Sequence, residues 1–320
     1  MNYRKKIRKL WVVIVILSLI ILSMLLSSGD MTEPDYPRDE MPKLTETWSF
    51  GSGDTKVVRI PLEGVIMRSD DESLFAPQAD MVANILMQIR VAENDPDMRA
   101  IILEVNSPGG GVTPSDEIYN ALRTFRQSRP DRRIIVFVRD LCASGGYYAS
   151  MAGDYIIAEP TAVVGSIGVI MQTMNLQGLS EKIGITDVTI KSGENKDMLN
   201  PFQSVNTNQV ALLQELIDDM QARFKGIVAE SRQIDPSTPE LFDGRILGAN
   251  VALNKGLIDE IGYWNEVLVK TAQQLDVGAL RVVRYEAQKT VLEELLGAKN
   301  PIVLPNFKLQ SPQFLYLWKP

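Results

Sequence analysis

Ser144 is the residue best placed for chemistry in this sequence. It stands in "DLCASGGYYAS" (Asp140–Ser150), directly after the apolar run "RIIVFV". A serine at a helix start ordinarily caps the helix. Here Gly145 and Gly146 remove side chains from the approach to the hydroxyl, and a helix N-terminus favours negative charge developing beside it. A hydroxyl is a useful nucleophile only with a base to take its proton. The sequence contains no histidine, so a Ser-His-Asp arrangement cannot be built from it. Lysine is the remaining common partner, provided it is stripped of water so that its pKa falls from about 10.4 towards about 7–8. "TIKSGENKDMLNPF" offers Lys191 at the end of an apolar segment that reads as a strand, and Lys196 in the loop beyond a glycine. Spacing does not choose between them.

A second corner, "LEVNSPGGGV", places Gly109, Gly110 and Gly111 after another apolar strand. Glycines tolerate φ > 0 and leave backbone N–H groups open, an arrangement that cradles an oxyanion. The same glycines also serve a plain strand-to-helix turn. A phosphate loop would need Lys-Ser/Thr after them, and Val112 follows, so nucleotide binding is not expected.

Composition narrows the classes further. The net charge of −7 argues against a nucleic-acid binder, which carries a basic face. One cysteine, Cys142, gives no intramolecular disulfide framework, and without histidine it supplies no structural zinc set. No cofactor or metal is expected.

The elements that must position these corners follow from patterning. "KVVRIPLEGVIM" reads as a strand pair or one long bent strand, "QADMVANILMQIRVAEN" as a helix, and "RAIILEVN" as a buried strand. "TPSDEIYNALRTFRQS" reads as a helix capped by Thr113 with Pro114 at its first position. The strand "RRIIVFV", a short helix opened by Ser144, and the strand "DYIIAE" come next. A long helix then carries Val210, Leu213, Ile217, Met220, Phe224 and Val228 on one stripe. Apolar strands alternating with helices predict an α/β fold with mainly parallel strands covered by helices.

At the N-terminus, a segment with five basic residues (1–9) precedes an uncharged apolar run that reads as a membrane anchor over residues 10–27, with a cleaved signal peptide as the rival reading. The basic flank keeps the N-terminus cytoplasmic and sends the remainder across the membrane. Residues 28–54 read as an extracytoplasmic linker, 55–285 as the folded domain, and 286–320 as a tail of unassigned role, expected to be disordered or to dock on a neighbour.

Four stretches in order, "NSPGGGV", "ASGGYYAS", "VVGSIGVI" and "KSGENKDM", resemble the signal peptide peptidase A family over roughly residues 56–272. These are membrane-anchored Ser-Lys peptidases of the Clp/crotonase fold. The resemblance implies Ser144 as nucleophile and Lys196 as general base, 196 − 144 = 52 positions later. It implies Ser166 as the residue that orients the lysine, with Gly109, Gly110 and Gly145 contributing to the oxyanion hole. It further implies peptide substrates, namely cleaved signal peptides and other unstructured hydrophobic chains. The expected assembly is a homo-oligomeric ring in which the base reaches a neighbouring protomer's nucleophile. Two other classes share part of these features: a crotonase-like acyl-CoA enzyme and a non-catalytic membrane scaffold of the same fold. An extended substrate is expected to align as a strand on the "NSPGGGV" edge.

Overall fold

Strand residues in the middle of the chain divide between two faces. In one strand Ile101, Leu103 and Val105 join one buried cluster while Ala100 and Ile102 join another, and in the next Ile134, Val136 and Val138 oppose Ile135 and Phe137 in the same way. A sheet apolar on both faces must be covered on both. The computed structural model describes residues 11, 15, 44–68, 80–287 and 314–318. Its elements are β1 (Leu44–Phe50), β2 (Thr55–Glu63), α1 (Met81–Asn94), β3 (Met98–Ser107), β4 (Gly109–Gly111), α2 (Val112–Ser128), β5 (Arg133–Ala143) and α3 (Gly145–Ser150). There follow β6 (Tyr155–Ala158), β7 (Val163–Gly165), β8 (Ile170–Met171), α4 (Gln177–Ile183), α5 (Thr207–Arg232) and β9 (Ile246–Gly248). The last are α6 (Ala249–Asn254), β10 (Glu260–Ile261), α7 (Trp264–Gln274), β11 (Leu280–Ala287) and β12 (Phe314–Leu317).

The main sheet runs β1-β11-β2-β3-β5-β6-β10, with β7 joining the far end of β5 and β9 joining β7. All pairings among β11, β2, β3, β5, β6, β7 and β10 are parallel; β1 and β9 pair antiparallel at the margins. The mixed α/β architecture with a mostly parallel sheet is therefore the one expected. One irregularity marks the carboxyl end of β3 and β5. Between the pairs Val105↔Val138 and Ser107↔Cys142, β3 advances 107 − 105 = 2 residues while β5 advances 142 − 138 = 4. Such a bulge bends a strand and re-aims the residues beyond it. The end of β5 leaves β6 and pairs with β7 instead.

Several boundaries differ from those expected of the sequence. The expected linker contributes β1, because the alternating "LTETWSF" supplies a short strand that pairs with β11 despite the acidic, proline-containing stretch before it. α2 starts at Val112 with Gly111 at the N-cap, not Thr113. The segment before Lys191 is no strand; Val188 and Ile190 are 83% and 97% exposed. Of the α5 stripe, Leu213, Phe224 and Val228 are buried, whereas Val210 is exposed. The expected membrane anchor lies outside the described residues except Trp11 and Val15, both helical. Among the described residues no helix is long and apolar enough to cross a membrane.

Candidate active site

Ligand sites in parallel α/β sheets form at the carboxyl ends of the strands. β3, β5 and β7 end at Ser107, Ala143 and Gly165, so the loops carrying Gly109–Gly111, Ser144 and Ser166 issue side by side. The Ser144 N–H donates to the Gly165 carbonyl at 2.8 Å, and its carbonyl accepts the Tyr148 N–H at 2.8 Å.

Ser144 has φ 52° and ψ −116° and is 1% exposed. Its hydroxyl makes no cap hydrogen bond to α3 and instead lies 3.4 Å from the Gly168 carbonyl. The capping explanation for this serine therefore fails. A non-glycine residue held at positive φ costs on the order of 1–3 kcal/mol and persists where the surroundings force it. A sharp strand-to-helix turn of this kind raises a nucleophile above the sheet edge. Ser166, at φ 51° and mostly buried, sits in a second such turn after Gly165 (φ 115°), held by its N–H to the Arg245 carbonyl at 2.7 Å. Its hydroxyl has no hydrogen-bond partner among the described residues.

The glycine corner is pinned on one side by Ile66, whose N–H donates to Gly109 O and whose carbonyl accepts from Gly111 N, both at 2.8 Å. Because successive residues of a strand face opposite edges, the N–H and C=O of Gly110 face the other side. The Gly109 N–H donates to Ser107 Oγ at 3.1 Å, so it is not free for an oxyanion as expected. What Gly109 provides is absence of a side chain: at φ +92°, a Cβ there would lie 2.0 Å from the Tyr316 carbonyl oxygen and 2.5 Å from the Gly145 nitrogen. Gly110 and Gly145 remain the donors available to this spot.

That edge is occupied. β12, from the C-terminal tail, lies antiparallel between β4 and β8, with Tyr316 opposite Gly110 and Leu315 opposite both Gly111 and Ile170. Trp318 N–H extends the pairing to the Pro108 carbonyl at 2.8 Å. The tail thus sits on its own chain in the extended form anticipated for a substrate. The Tyr316 carbonyl oxygen lies 2.0 Å and 3.1 Å from where Cβ atoms on Gly109 and Gly145 would stand, on the edge where Tyr316 pairs with Gly110. Its ring fills a pocket that was not foreseen from the sequence, among Tyr148, Phe224 and the Met220 carbonyl. The alternation of "FLYL" was the available signal. Replacing Tyr316 by serine in the full chain should empty this pocket and raise the initial rate on a short fluorogenic peptide several-fold; an unchanged rate would mean that the tail does not compete.

The two candidate lysines are distinguished by their surroundings. Lys191 Nζ forms an ion pair with Asp197 Oδ1 at 2.6 Å, and that pair holds the Asp197 carboxyl below its ordinary range. Lys196 is exposed, and its ammonium has neither hydrogen bond nor ion pair among the described residues. Among the described residues no hydrogen bond joins the Lys196 ammonium to the Ser144 hydroxyl. Cys142, two residues before Ser144, is buried with its Sγ 3.3 Å from Ser150 Oγ, and burial pushes its thiol up to about 12. It is therefore a packed thiol with no thiolate character at neutral pH. No group of metal-ligating side chains occurs among the described residues.

A strained, buried serine at the carboxyl end of a parallel sheet, beside glycine N–H groups and an edge that holds an extended chain, is an arrangement suited to hydrolysis of a peptide. Peptidase family S49 matches residues 126–278, a stretch that holds Ser144, Ser166 and Lys196. A protein of Enterococcus faecium that carries the provisional name signal peptide peptidase SppA is 35% identical over 246 residues, 77% of this chain and 71% of that protein. Protease 4 of Haemophilus influenzae is 29% identical over 246 residues, 73% of this chain and 37% of the relative. The chloroplastic serine protease SPPA of Arabidopsis thaliana is 26% identical over 264 residues, 80% and 39% respectively. This chain spans less than half the length of the last two. It belongs to peptidase family S49, the signal peptide peptidase A family, and is a serine peptidase.

Proposed function

We propose that this protein is a membrane-anchored endopeptidase with a Ser144–Lys196 dyad that degrades cleaved signal peptides and other unstructured hydrophobic chains on the outer side of the membrane. The observation that carries the reading is the strained Ser144 corner lying against an edge that already holds an antiparallel peptide strand. Substrate binds there by main-chain pairing, which demands an unfolded chain and little of its sequence. Neutral Lys196 of a neighbouring protomer takes the Ser144 proton as Oγ attacks the peptide carbonyl. The Gly110 and Gly145 N–H groups hold the oxyanion, each donor contributing about 2.7–4 kcal/mol to the barrier reduction. The ammonium then protonates the leaving amine, and water repeats the cycle on the acyl-enzyme. The Ser166 hydroxyl orients the amine.

Assembly into a ring supports the lysine's role. An amine serves as base only when desolvation favours its neutral form, and Lys196 is exposed in the single chain. In the stretch of chain that carries it, residues 179–205, Leu179, Ile183, Ile185, Val188, Ile190 and Val205 are all more than half exposed, apolar surface that a second copy would cover. The test is mass-spectrometric mapping of a serine-reactive acylating probe. Labelling is expected at Ser144 in the wild type and to fall sharply in Lys196→Ala; absence of labelling in the wild type would end the peptidase reading.

A further inference from the structure

Ser107 is fully buried and ends β3 immediately before Pro108 and the glycine corner. Its hydroxyl donates to the Gly64 carbonyl at 2.6 Å and accepts the Gly109 N–H at 3.1 Å. Neither direction can be reversed, because a carbonyl only accepts and an amide N–H only donates. The Gly64 end is itself fixed: its N–H donates to the Asn106 carbonyl at 2.9 Å, which holds the turn after β2 against the end of β3. Further along that turn, the Ile66 N–H donates to the Gly109 carbonyl at 2.8 Å. Gly109 is thus gripped at both of its polar atoms, by the Ser107 side chain on the nitrogen and by Ile66 on the oxygen.

The double grip acts one peptide further along. The Gly109–Gly110 peptide is trans, so its C=O and N–H point to opposite sides of one plane. With the Gly109 oxygen held by Ile66, the Gly110 N–H is turned away from Ile66, towards the edge beside Ser144. There a Cβ on Gly145 would lie 3.1 Å from the Gly110 nitrogen, so the two candidate donors stand close together. Ser107 also meets the helix that follows Ser144. Its carbonyl oxygen and its Cβ lie 3.0 Å and 3.2 Å from where a Cβ on Gly146 would stand, against the first turn of α3. One buried side chain therefore lies between the glycine corner and the turn that carries the nucleophile.

We propose that Ser107 is a positioning residue for the oxyanion hole: its hydroxyl, anchored on Gly64, sets the orientation of Gly109 and through it aims the Gly110 N–H at the oxygen that becomes negative when Ser144 attacks. The proposal rests on the reading of the Ser144 corner as a peptidase site with Gly110 as a donor. Both hydrogen bonds of the Ser107 hydroxyl go to backbone, so its influence passes through the Gly109 peptide and not through contact with substrate. Removing the hydroxyl leaves the buried Gly109 N–H without its partner. The corner then relaxes by rotation at Gly109, where a glycine backbone has the freedom to turn.

The test compares two ligands of one sequence on the full chain. The first is a peptide boronic acid, whose boron bonds to the Ser144 oxygen as the hydroxyl proton leaves to the base, and which sets a boron-bound oxygen in the hole. The second is the corresponding peptide amide, which binds the edge without an adduct. Ser107→Ala should weaken the boronate by roughly ten- to hundredfold, less than outright loss of a donor, and leave the amide within about twofold. The fall in kcat should match that of the boronate, with KM little changed. Ser107→Cys fills the same space with a weak donor and acceptor. It should show the same selective loss in smaller measure, and it decides the matter where the alanine variant does not fold. Equal weakening of both ligands, or of neither, would overturn the proposal while an adduct on wild-type Ser144, seen by mass spectrometry, keeps the peptidase reading. A wild type that forms no adduct would remove that reading and the proposal with it.

Discussion

Lys196→Ala is expected to lower kcat by roughly 10²–10⁴-fold, the range typical of a lost general base, while leaving the stability of the folded chain within about 0.5 kcal/mol. Both halves follow from the same surroundings. The Lys196 side chain is exposed and unpartnered among the described residues, so its removal costs the single chain nothing. Lys191→Ala is the matching control. It breaks a surface pair with Asp197, worth about 0–1 kcal/mol, and should leave turnover near the wild-type level. Because the base is supplied across a protomer boundary in the proposed mechanism, co-assembly of Lys196→Ala with Ser144→Ala should restore activity that neither variant shows alone. Mixed particles as inactive as the parents would place the base elsewhere.

Gly109→Ala should be the most damaging small substitution in the glycine corner. At φ +92° its Cβ would meet the Tyr316 carbonyl oxygen at 2.0 Å, the Gly145 nitrogen at 2.5 Å and the Ala143 oxygen at 3.0 Å. All three are backbone atoms, and the Gly145 nitrogen and Ala143 oxygen belong to the turn around Ser144, so neither can swing aside as a side chain would. A positive φ on a residue with a Cβ adds roughly 1–2 kcal/mol. In the proposed mechanism, displacing the Gly145 N–H removes an oxyanion donor, a loss of about 10²–10³ in kcat. The expected result is loss of turnover by at least two orders of magnitude together with a lower Tm. Gly226→Ala is the contrast: it is exposed in the interior of α5 with open space around it, and should stabilise by roughly 0.5–1 kcal/mol. Equal behaviour of the two variants would show that the corner has no such constraint.

Much of this site was readable because its parts are local. Ser144 announces itself by the absence of polar turn residues around it, and the glycines by following a buried strand; each loop then comes from the end of its own strand. The features that stayed hidden are non-local or made of backbone. The contact between Tyr316 and Gly110 spans 316 − 110 = 206 positions and leaves no side-chain pattern in the glycines. The pocket draws Tyr148 from the short helix opened by Ser144, and Phe224 and Met220 from a helix that reads only as a core stripe. Strand β1 was hidden because its seven residues follow a run of acids and prolines. Spacing left Lys191 and Lys196 alike; that Lys191 pairs with Asp197 and Lys196 does not is a matter of loop geometry.

The twisted backbone at Ser144 has a thermodynamic side. Only glycine occupies φ 52°, ψ −116° at little cost, so Ser144→Gly should melt higher than the wild type while losing its chemistry. Heat resistance and reactivity compete at this one pair of dihedral angles, and a thermally hardened form should be sought at positions away from that turn.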